Sequence, residues 1–415
     1  MDSKLHGLSR RGAGGAGCAA LAATLLLGAA SPAWAFFDDR LQVIAGETVT
    51  HDSNVFRLSQ SADPNAVLGS PQRGDTWYDT TLGFRVDAPI SRQRIQAGMS
   101  WSALRYDHFK SLNHTDRNGN VNWLWQAGNQ WSGLLGYNET HTIASFTNFT
   151  GPTPNPLTTK TLSATANFLI DPHWELQAIG SEMRQRNGLA ARQANDIDLT
   201  SVQVGANYIS TASNRIGVNV RQDDGRHPNL ESVGAFQVNN NYVQRSMGAM
   251  TDWTVTAKSH VAARVDYLRR DYDQFSNRDF SGVTFHAGYD WLATAKTSVS
   301  LIALREISAS EDVQTGFVVV RGIALTPSYA FSEKLRATAS LSSNIRDYKG
   351  DPGLATPTSF AGRVDHVHAA SLSLTYQPMR TLTLLLSGQR ETRSSNQPLL
   401  DYVSNLVEIS ARLAF

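Results

Sequence analysis

The sequence predicts an all-β protein, a transmembrane antiparallel up-and-down outer-membrane β-barrel of about 18 strands. Three observations predict it. Apolar and polar residues alternate along many short segments, tight turns recur roughly every 40 residues, and no apolar run of about 18 residues occurs after residue 35. The third observation excludes helical membrane spans, so a membrane location requires strands that close into a barrel.

Residues 1–35 have the composition of a signal peptide. A basic start with Lys4 and Arg10 precedes an apolar stretch at 18–30 and an Ala-Trp-Ala cleavage pattern at 33–35. We therefore divide the chain into a signal peptide, 1–35, and one barrel domain, 36–415. The only cysteine, Cys18, lies in the signal peptide, so the mature chain is expected to fold without disulfides.

The charge balance argues against nucleic acid as a partner. The chain has 37 Lys and Arg against 36 Asp and Glu, so it carries no basic surplus that would attract a phosphate backbone.

Tight turns and the segments around them set the expected strand count. The predicted turns lie near 89–91, 128–130, 171–173, 211–214, 256–259, 294–297, 332–334 and 378–380. A strand on each side of every turn, with a first strand at 40–54 and a last at 402–415, makes about 18. Longer polar loops are expected at the other end, near 59–74, 146–157, 225–235, 349–362 and 393–401.

The last strand, 402–415, shows the alternation most clearly. Val407, Ile409 and Leu413 fall on one side, whereas Glu408 and Arg412 fall on the other. Taken alone, this strand would also fit the half-buried strand of a soluble sandwich. Aromatic residues near the tight turns, such as Trp131, Trp174 and Tyr376, favour the membrane, because amphipathic rings prefer its boundary.

Charged and polar residues occupy the strand faces opposite the apolar ones, and we expect them to line the lumen, because a charge facing lipid costs about 2–4 kcal/mol at mid-membrane. The candidate lumen-lining residues are Arg85, Asp87, Arg94, Arg221, Asp223, Arg264, Asp266, Arg270, Asp290, Arg336, Glu408 and Arg412. Such mixed charges either brace the wall or line a path for a hydroxyl-rich or charged solute.

The sequence contains no motif that predicts an enzyme, a cofactor or a metal site. It lacks paired cysteines, a Gly-rich phosphate loop and a Gly-x-Ser-x-Gly elbow. His366 and His368 share a strand face, but histidines near the outer end of a strand are more often plain surface residues. A catalytic triad assembled from distant strands leaves an outer-membrane hydrolase as an alternative.

The segment Gly46–Leu58 reads GETVTHDSNVFRL and resembles the opening segment of EpsL-type exopolysaccharide-biosynthesis outer-membrane β-barrel proteins, which occur with exosortase-associated polysaccharide clusters. The resemblance lies in a short His-Asp-x-Asn-Val-Phe-Arg motif and in the layout of the whole chain. It implies a part in export or assembly of an extracellular polysaccharide, and it transfers no catalytic residue. Asp52 and Asn54 also suit a turn or a β-bulge that ends the first strand.

The expected function is therefore polysaccharide secretion in the bacterial outer membrane, with the barrel as the channel. The expected partners are outer-membrane lipid, the extracellular polysaccharide and periplasmic polysaccharide-export proteins. A general diffusion porin is the alternative.

Overall fold

The computed structural model describes residues 40–147, 151–233, 235–309, 317–350 and 362–415. The predicted signal peptide lies outside the described residues. In the described part of the chain, no helix is long and apolar enough to cross a membrane.

Strands dominate the described residues. They are β1 (Leu41–Asp52), β2 (Asp75–Ile90), β3 (Gln93–Tyr106), β4 (His114–Ala127), β5 (Trp131–Ile143), β6 (Pro156–Asp171), β7 (Trp174–Asn187), β8 (Ile197–Ile209), β9 (Arg215–Arg226), β10 (Glu231–Val233), β11 (Phe236–Val238), β12 (Tyr242–Thr256), β13 (Ser259–Tyr272), β14 (Phe280–Trp291), β15 (Thr297–Ala309), β16 (Phe317–Ala330), β17 (Leu335–Lys349), β18 (Val364–Met379), β19 (Leu382–Ser395) and β20 (Tyr402–Ala414). One short helix, α1 (Pro64–Leu68), follows β1, and single 3-10 turns occur at Lys110–Leu112, Ala190–Asn195 and Ser276–Arg278.

The barrel is a single closed sheet of 18 strands, and β10 with β11 forms a separate two-stranded hairpin. Each barrel strand pairs antiparallel with its neighbours in sequence, and β1 pairs with β20 to complete the ring. Backbone bonds of 2.9 Å in both directions join Val43 to Phe415 at this closure. The predicted fold class is confirmed, because the 18 strands close into one ring in which each strand pairs with two neighbours.

The two faces of the wall differ in polarity. Large apolar side chains are exposed on one face of nearly every strand, as Val204, Val265, Leu372 and Ile409 show. Cross-strand registers place these apolar residues side by side around the ring, for example Leu386 opposite Ile409 and Ile409 opposite Val49. A continuous apolar exterior of this kind is stable in lipid and not in water.

The tight turns lie at the predicted positions, and the start of β1 and the end of β20 lie on their side of the barrel. The β4–β5 turn requires Gly128, whose φ of 61° is strained for residues with a Cβ. Aromatic residues face outward next to these turns, as predicted for the membrane boundary: Trp131, Trp174, Tyr208 and Tyr376.

The longer connections lie at the other end, but strands reach further into them than expected. Strand β19 continues to Ser395, although a loop was predicted from 393. The connection 227–241, which was predicted to begin at 225, contains the hairpin β10–β11. These extensions arise because backbone pairing continues past the alternating sequence pattern.

One seam interrupts the pairing of neighbouring strands. The β14–β15 register ends at Phe285 opposite Arg305, although β14 begins at Phe280 and remains paired with β13 over its whole length. The upper parts of β14 and β15 therefore separate towards the loop end.

Candidate functional site: the lumen and its extracellular mouth

All candidate lumen-lining residues lie on strand faces opposite the exposed apolar residues. The registers place Arg264 opposite His286 and Asp266 opposite Thr284, whereas Val265, between them, is 51% exposed on the outer face. The same alternation holds for Arg85, Asp87, Arg94, Arg221, Asp223, Arg270, Asp290, Arg336, Glu408 and Arg412. Their role in conduction stays a prediction.

An ion pair on β13 is the centre of the most closely linked group. The Arg264 Nε donates to Asp266 Oδ2 at 2.6 Å, and Arg264 Nη2 donates to Asp266 Oδ1 at 3.0 Å. Arg264 also donates to Asn219 at 3.2 Å and to Gln203 at 3.4 Å, so one guanidinium spans β13 to β8. Gly248 is required on the strand between them, since a Cβ there would lie 2.2 Å from the Asp266 carboxylate.

A second ion pair, between Arg221 and Asp223 on β9, lies beside the one on β13. Arg221 Nε donates to Asp223 Oδ1 at 2.7 Å, and the buried carboxylate also accepts from Ser201 at 2.5 Å and Gln244 at 2.9 Å. Both carboxylate oxygens of Asp223 therefore already accept hydrogen bonds, whereas the Arg221 side chain remains 35% exposed.

These two pairs line a recess of about 280 Å³ in the wall. His286 and Glu306 complete its lining, with His286 Nδ1 2.8 Å from Glu306 Oε1. The recess thus offers guanidinium donors beside carboxylate and hydroxyl acceptors, a combination that binds small polar solutes through several hydrogen bonds.

Other candidates lie in separate recesses. Arg85 and Arg412 line a space of about 420 Å³ together with Ser100 and Asn118, and neither arginine forms an ion pair with a described residue. Arg94 lines a space of about 660 Å³ near the tight turns and pairs with Asp87 at 2.7 Å.

Three further candidates are not brought into these groups. Arg336 and Glu408 form no ion pair within the described ranges, and Asp290 lies 4.0 Å from His260 Nδ1 near the tight-turn end. The predicted lumen residues therefore form several local groups along the wall.

Glu175 and Arg215 form a further lumen-facing pair that is not among the candidates predicted from the sequence. Glu175 is buried, and its Oε1 accepts from Arg215 at 2.9 Å and from Asn207 at 3.0 Å. The strand alternation that identified the other candidates would also have identified this pair.

The opening motif builds the extracellular mouth. Asn54 binds the backbone of Leu58 through both amide atoms, at 2.8 and 2.9 Å, and Asp52 accepts from Arg57 at 2.6 Å and Ser404 at 2.7 Å. These bonds form a tight turn after β1 and not a β-bulge, because the β1 ladder runs without a register shift to Asp52. The turn holds the first loop (53–74) against β20.

The first loop carries an aromatic anchor, Phe56, which is completely buried. Its ring lies 4.8 Å from the Phe109 ring and 4.7 Å from the Phe146 ring. Phe109 belongs to the second loop, which connects β3 to β4, and Phe146 belongs to the third loop, which connects β5 to β6. Leu58 and Leu112 complete this small core. Three loops are thus packed together at the mouth.

Arg393 links the third loop to β19 on another part of the wall. Arg393 on β19 stacks over Tyr402 at 4.5 Å, and its Nη1 donates to the carbonyl of Thr147 in the third loop. Because β5 and β19 lie far apart around the ring, the third loop extends across the mouth.

A second cluster, around Arg270, lies on the other side of the mouth. Arg270 stacks over Tyr242 at 4.1 Å and lies 5.7 Å from the Phe317 ring, and it donates to Gln244 at 2.7 Å. Arg278, which follows β13, donates to the Gly350 carbonyl beyond β17 at 2.9 Å. Contacts between distant strands therefore narrow the mouth on both sides.

His227 is a half-buried titratable group in the connection 227–241. Its Nδ1 has no hydrogen-bond partner among the described residues. Burial holds the pKa of His227 below its ordinary value, and the nearby guanidinium groups of Arg278 and Arg270 act in the same direction.

Within the described ranges, no group of three His, Cys, Asp or Glu residues could hold a metal ion. His366 and His368 are exposed on the outer face of β18, beside the apolar Leu372.

Residues 243–415 match the family described as "Putative beta-barrel porin 2", which is less than half of the chain. No curated protein matches the chain.

Similar solved structures include the outer-membrane protein OpdK from Pseudomonas aeruginosa, with 10% identity and a TM-score of 0.48 over 90% of this chain and 99% of that chain. OccK3 (OpdO) from the same organism has 13% identity and a TM-score of 0.48 over 91% and 97% of the two chains. The alcaligin outer-membrane receptor FauA from Bordetella pertussis has 11% identity and a TM-score of 0.43 over 89% and 76%.

The closed barrel, its apolar exterior and the match to a porin family agree. The protein is a porin-like β-barrel of the bacterial outer membrane.

Proposed function

We propose that the barrel is a selective channel for small hydrophilic solutes that carry hydroxyl groups or a charge. The recess that Arg264 and Arg221 share with their carboxylate partners carries this proposal. Guanidinium groups bind hydroxylated and anionic solutes, and the paired carboxylates keep the binding weak enough for release.

The narrowed mouth favours small solutes over a polymer. The Phe56 core and the contact from Arg393 to Thr147 bring loops across the opening, and the Arg270 cluster narrows the other side. A long polysaccharide would require these buried contacts to open, whereas a small solute requires a much smaller opening.

The test is electrical conductance of the purified barrel in planar bilayers. We expect discrete ohmic steps, and we expect Arg264→Gln to shift the reversal potential towards cation selectivity, because a lumen cation is lost. Arg184→Gln is the matched control, since Arg184 faces outward and pairs with Glu182. A correctly folded barrel that conducts no ions would contradict the channel, and equal shifts in both variants would contradict the role of Arg264.

Arg264 and Arg270 are expected to respond differently. Arg270 is 5% exposed and stacked between rings, so Arg270→Gln should mainly lower the stability of the mouth, whereas Arg264→Gln should mainly change selectivity. Heat-modifiability on gels, measured beside conductance, separates the two effects.

Polysaccharide export is the second candidate, and the resemblance of residues 46–58 favours it. In this case the polymer and periplasmic export proteins would be partners of the barrel. Deletion of the gene should then leave polymer in the periplasm and reduce the amount outside the cell. Unchanged polymer outside the cell would exclude this candidate without affecting the small-solute channel.

A further inference from the structure

The outer face of the barrel is not uniformly charged at the loop end. Phe317 and Val319, at the start of β16, turn into the mouth. Below them, the described outward positions of β15, β16, β18 and β19 carry Arg305, Arg321, His366, His368 and Arg390, and they carry no acidic residue. The adjacent outward acid on β17, Asp347, is already paired with Lys349 at 3.0 Å. This side of the wall therefore has a surplus of positive charge.

Two of these arginines stand directly opposite each other. Arg305 and Arg321 are register partners on β15 and β16, two residues above the outward-facing Ile323. Like charges at opposed positions destabilise a sheet. Neither guanidinium forms an ion pair with a described residue; the Arg305 guanidinium donates to the Val283 carbonyl at the seam and lies beside Gly282.

Elsewhere on the outer face, similar opposed cations have acidic neighbours. Arg245 and Arg269 are also register partners that face outward, but Arg269 pairs with Asp271 at 2.8 Å. Lys160 and Arg184 oppose each other in the same way, and each pairs with a glutamate. Of these three opposed pairs of cations, only the pair of Arg305 and Arg321 forms no ion pair with a described residue.

The height of the cluster corresponds to the outer headgroup region. Tyr329 is an outward aromatic residue beside the tight turns. The rise and tilt of barrel strands place Arg321 about 20 Å above it along the barrel axis. The apolar band of such barrels is about 25 Å tall, so the guanidinium groups lie near its outer boundary. Below them the surface is apolar, with Ile323, Leu341 and Leu372 about half exposed.

The seam adds a second polar feature at the same place. Above Phe285, the backbone of β14 has no registered partner on β15. Unpaired backbone groups are costly in hydrocarbon and require a polar neighbour.

We propose that the outward β15–β19 face binds a phosphorylated, acylated glycolipid of the outer leaflet. Its phosphates would lie between Arg305 and Arg321, with His366 and Arg390 alongside, and its acyl chains would cover the apolar strip below. The phosphate relieves the repulsion between the opposed arginines and supplies an anionic partner, which neither guanidinium has among the described residues.

The test is binding of bisphosphorylated lipid A to the full-length mature barrel in non-ionic detergent, followed by native mass spectrometry. The variant Arg305→Gln with Arg321→Gln should bind about thirtyfold more weakly, because each basic residue near an anionic surface contributes about 1 kcal/mol. The matched control, Arg245→Gln with Arg269→Gln, removes an opposed pair of the same geometry and should leave binding unchanged. Equal losses in both double variants would overturn the proposal.

A further comparison needs no substitution and remains decisive even if a variant fails to fold. Wild-type protein should bind dephosphorylated lipid A as weakly as the Arg305/Arg321 variant binds the phosphorylated form. Phosphate-independent binding, equal binding of phosphatidylglycerol, or displacement by millimolar inorganic phosphate would each overturn the assignment to a phosphorylated glycolipid. These outcomes leave the conductance test of the lumen unaffected.

Discussion

At the scale of single residues, the lumen-facing arginines have two different roles. Arg270 and Arg393 lie flat over Tyr242 and Tyr402, where burial and ring contact fix them as parts of the wall. Arg264 and Arg221 are about one-third exposed and face open space. Exposure and partners therefore separate bracing arginines from those that a solute can reach.

His227 gives a prediction on pH. Its native pKa lies below the value of about 6.5 that an exposed histidine has, so the unfolded loop binds more protons than the native loop once pH falls through that range. Stability present at pH 7.5 is therefore lost on acidification. Hydrogen-exchange protection of residues 190–196 and 227–233 should fall by up to about tenfold at pH 5.5.

The control is His227→Asn, which cannot titrate. Its protection factors in these segments should be the same at both pH values. A wild-type loop whose protection is also independent of pH would contradict the assignment of the titration to His227.

At the scale of elements, the last strand decides whether the ring closes. β20 pairs with both β19 and β1, and Phe415 adds two backbone bonds to Val43 beyond the end of the strand. Without this contact, two strand edges at the tight-turn end would lose their partner.

Deletion of Phe415 should therefore reduce the amount of folded barrel in the outer membrane, measured as the heat-modifiable band on gels. The variant Phe415→Ala separates the contribution of the backbone from that of the aromatic ring, because it keeps both backbone hydrogen bonds to Val43. If assembly of the deleted chain equals that of wild type, the terminal contact is not needed for closure.

At the scale of the whole molecule, the two faces of the wall should tolerate charge very differently. Leu372 is 56% exposed on the outer face of β18, and the neighbouring Ser371 faces the lumen. In lipid vesicles, Leu372→Arg should lower the free energy of unfolding by about 2–4 kcal/mol.

The matched change Ser371→Arg should cost much less, because the new charge meets water and polar neighbours in the lumen. Guanidinium unfolding of both variants, followed by tryptophan fluorescence, measures the difference. Equal costs would contradict the assignment of the two faces.

The sequence was sufficient for the fold and the location. Alternation with a period of two, repeated between turns such as 128–130 and 256–259, determines strand number and the face of each residue, because a strand directs successive side chains to opposite sides. The lumen side of Arg264, Asp266 and Glu408 follows from the same rule. Polysaccharide export rested on a short motif, and the structure shows that motif making a turn and a loop core.

Only the tertiary structure decided which residues meet across the ring. Arg393 and Thr147 are joined because the closed sheet brings the third loop towards β19, and no local pattern carries such long-range proximity. The opposed arginines on β15 and β16 depend on the register of two strands, which hairpin geometry fixes. Alternation along a strand specifies which side of the wall a residue faces, whereas its neighbours on other strands follow from closure and register.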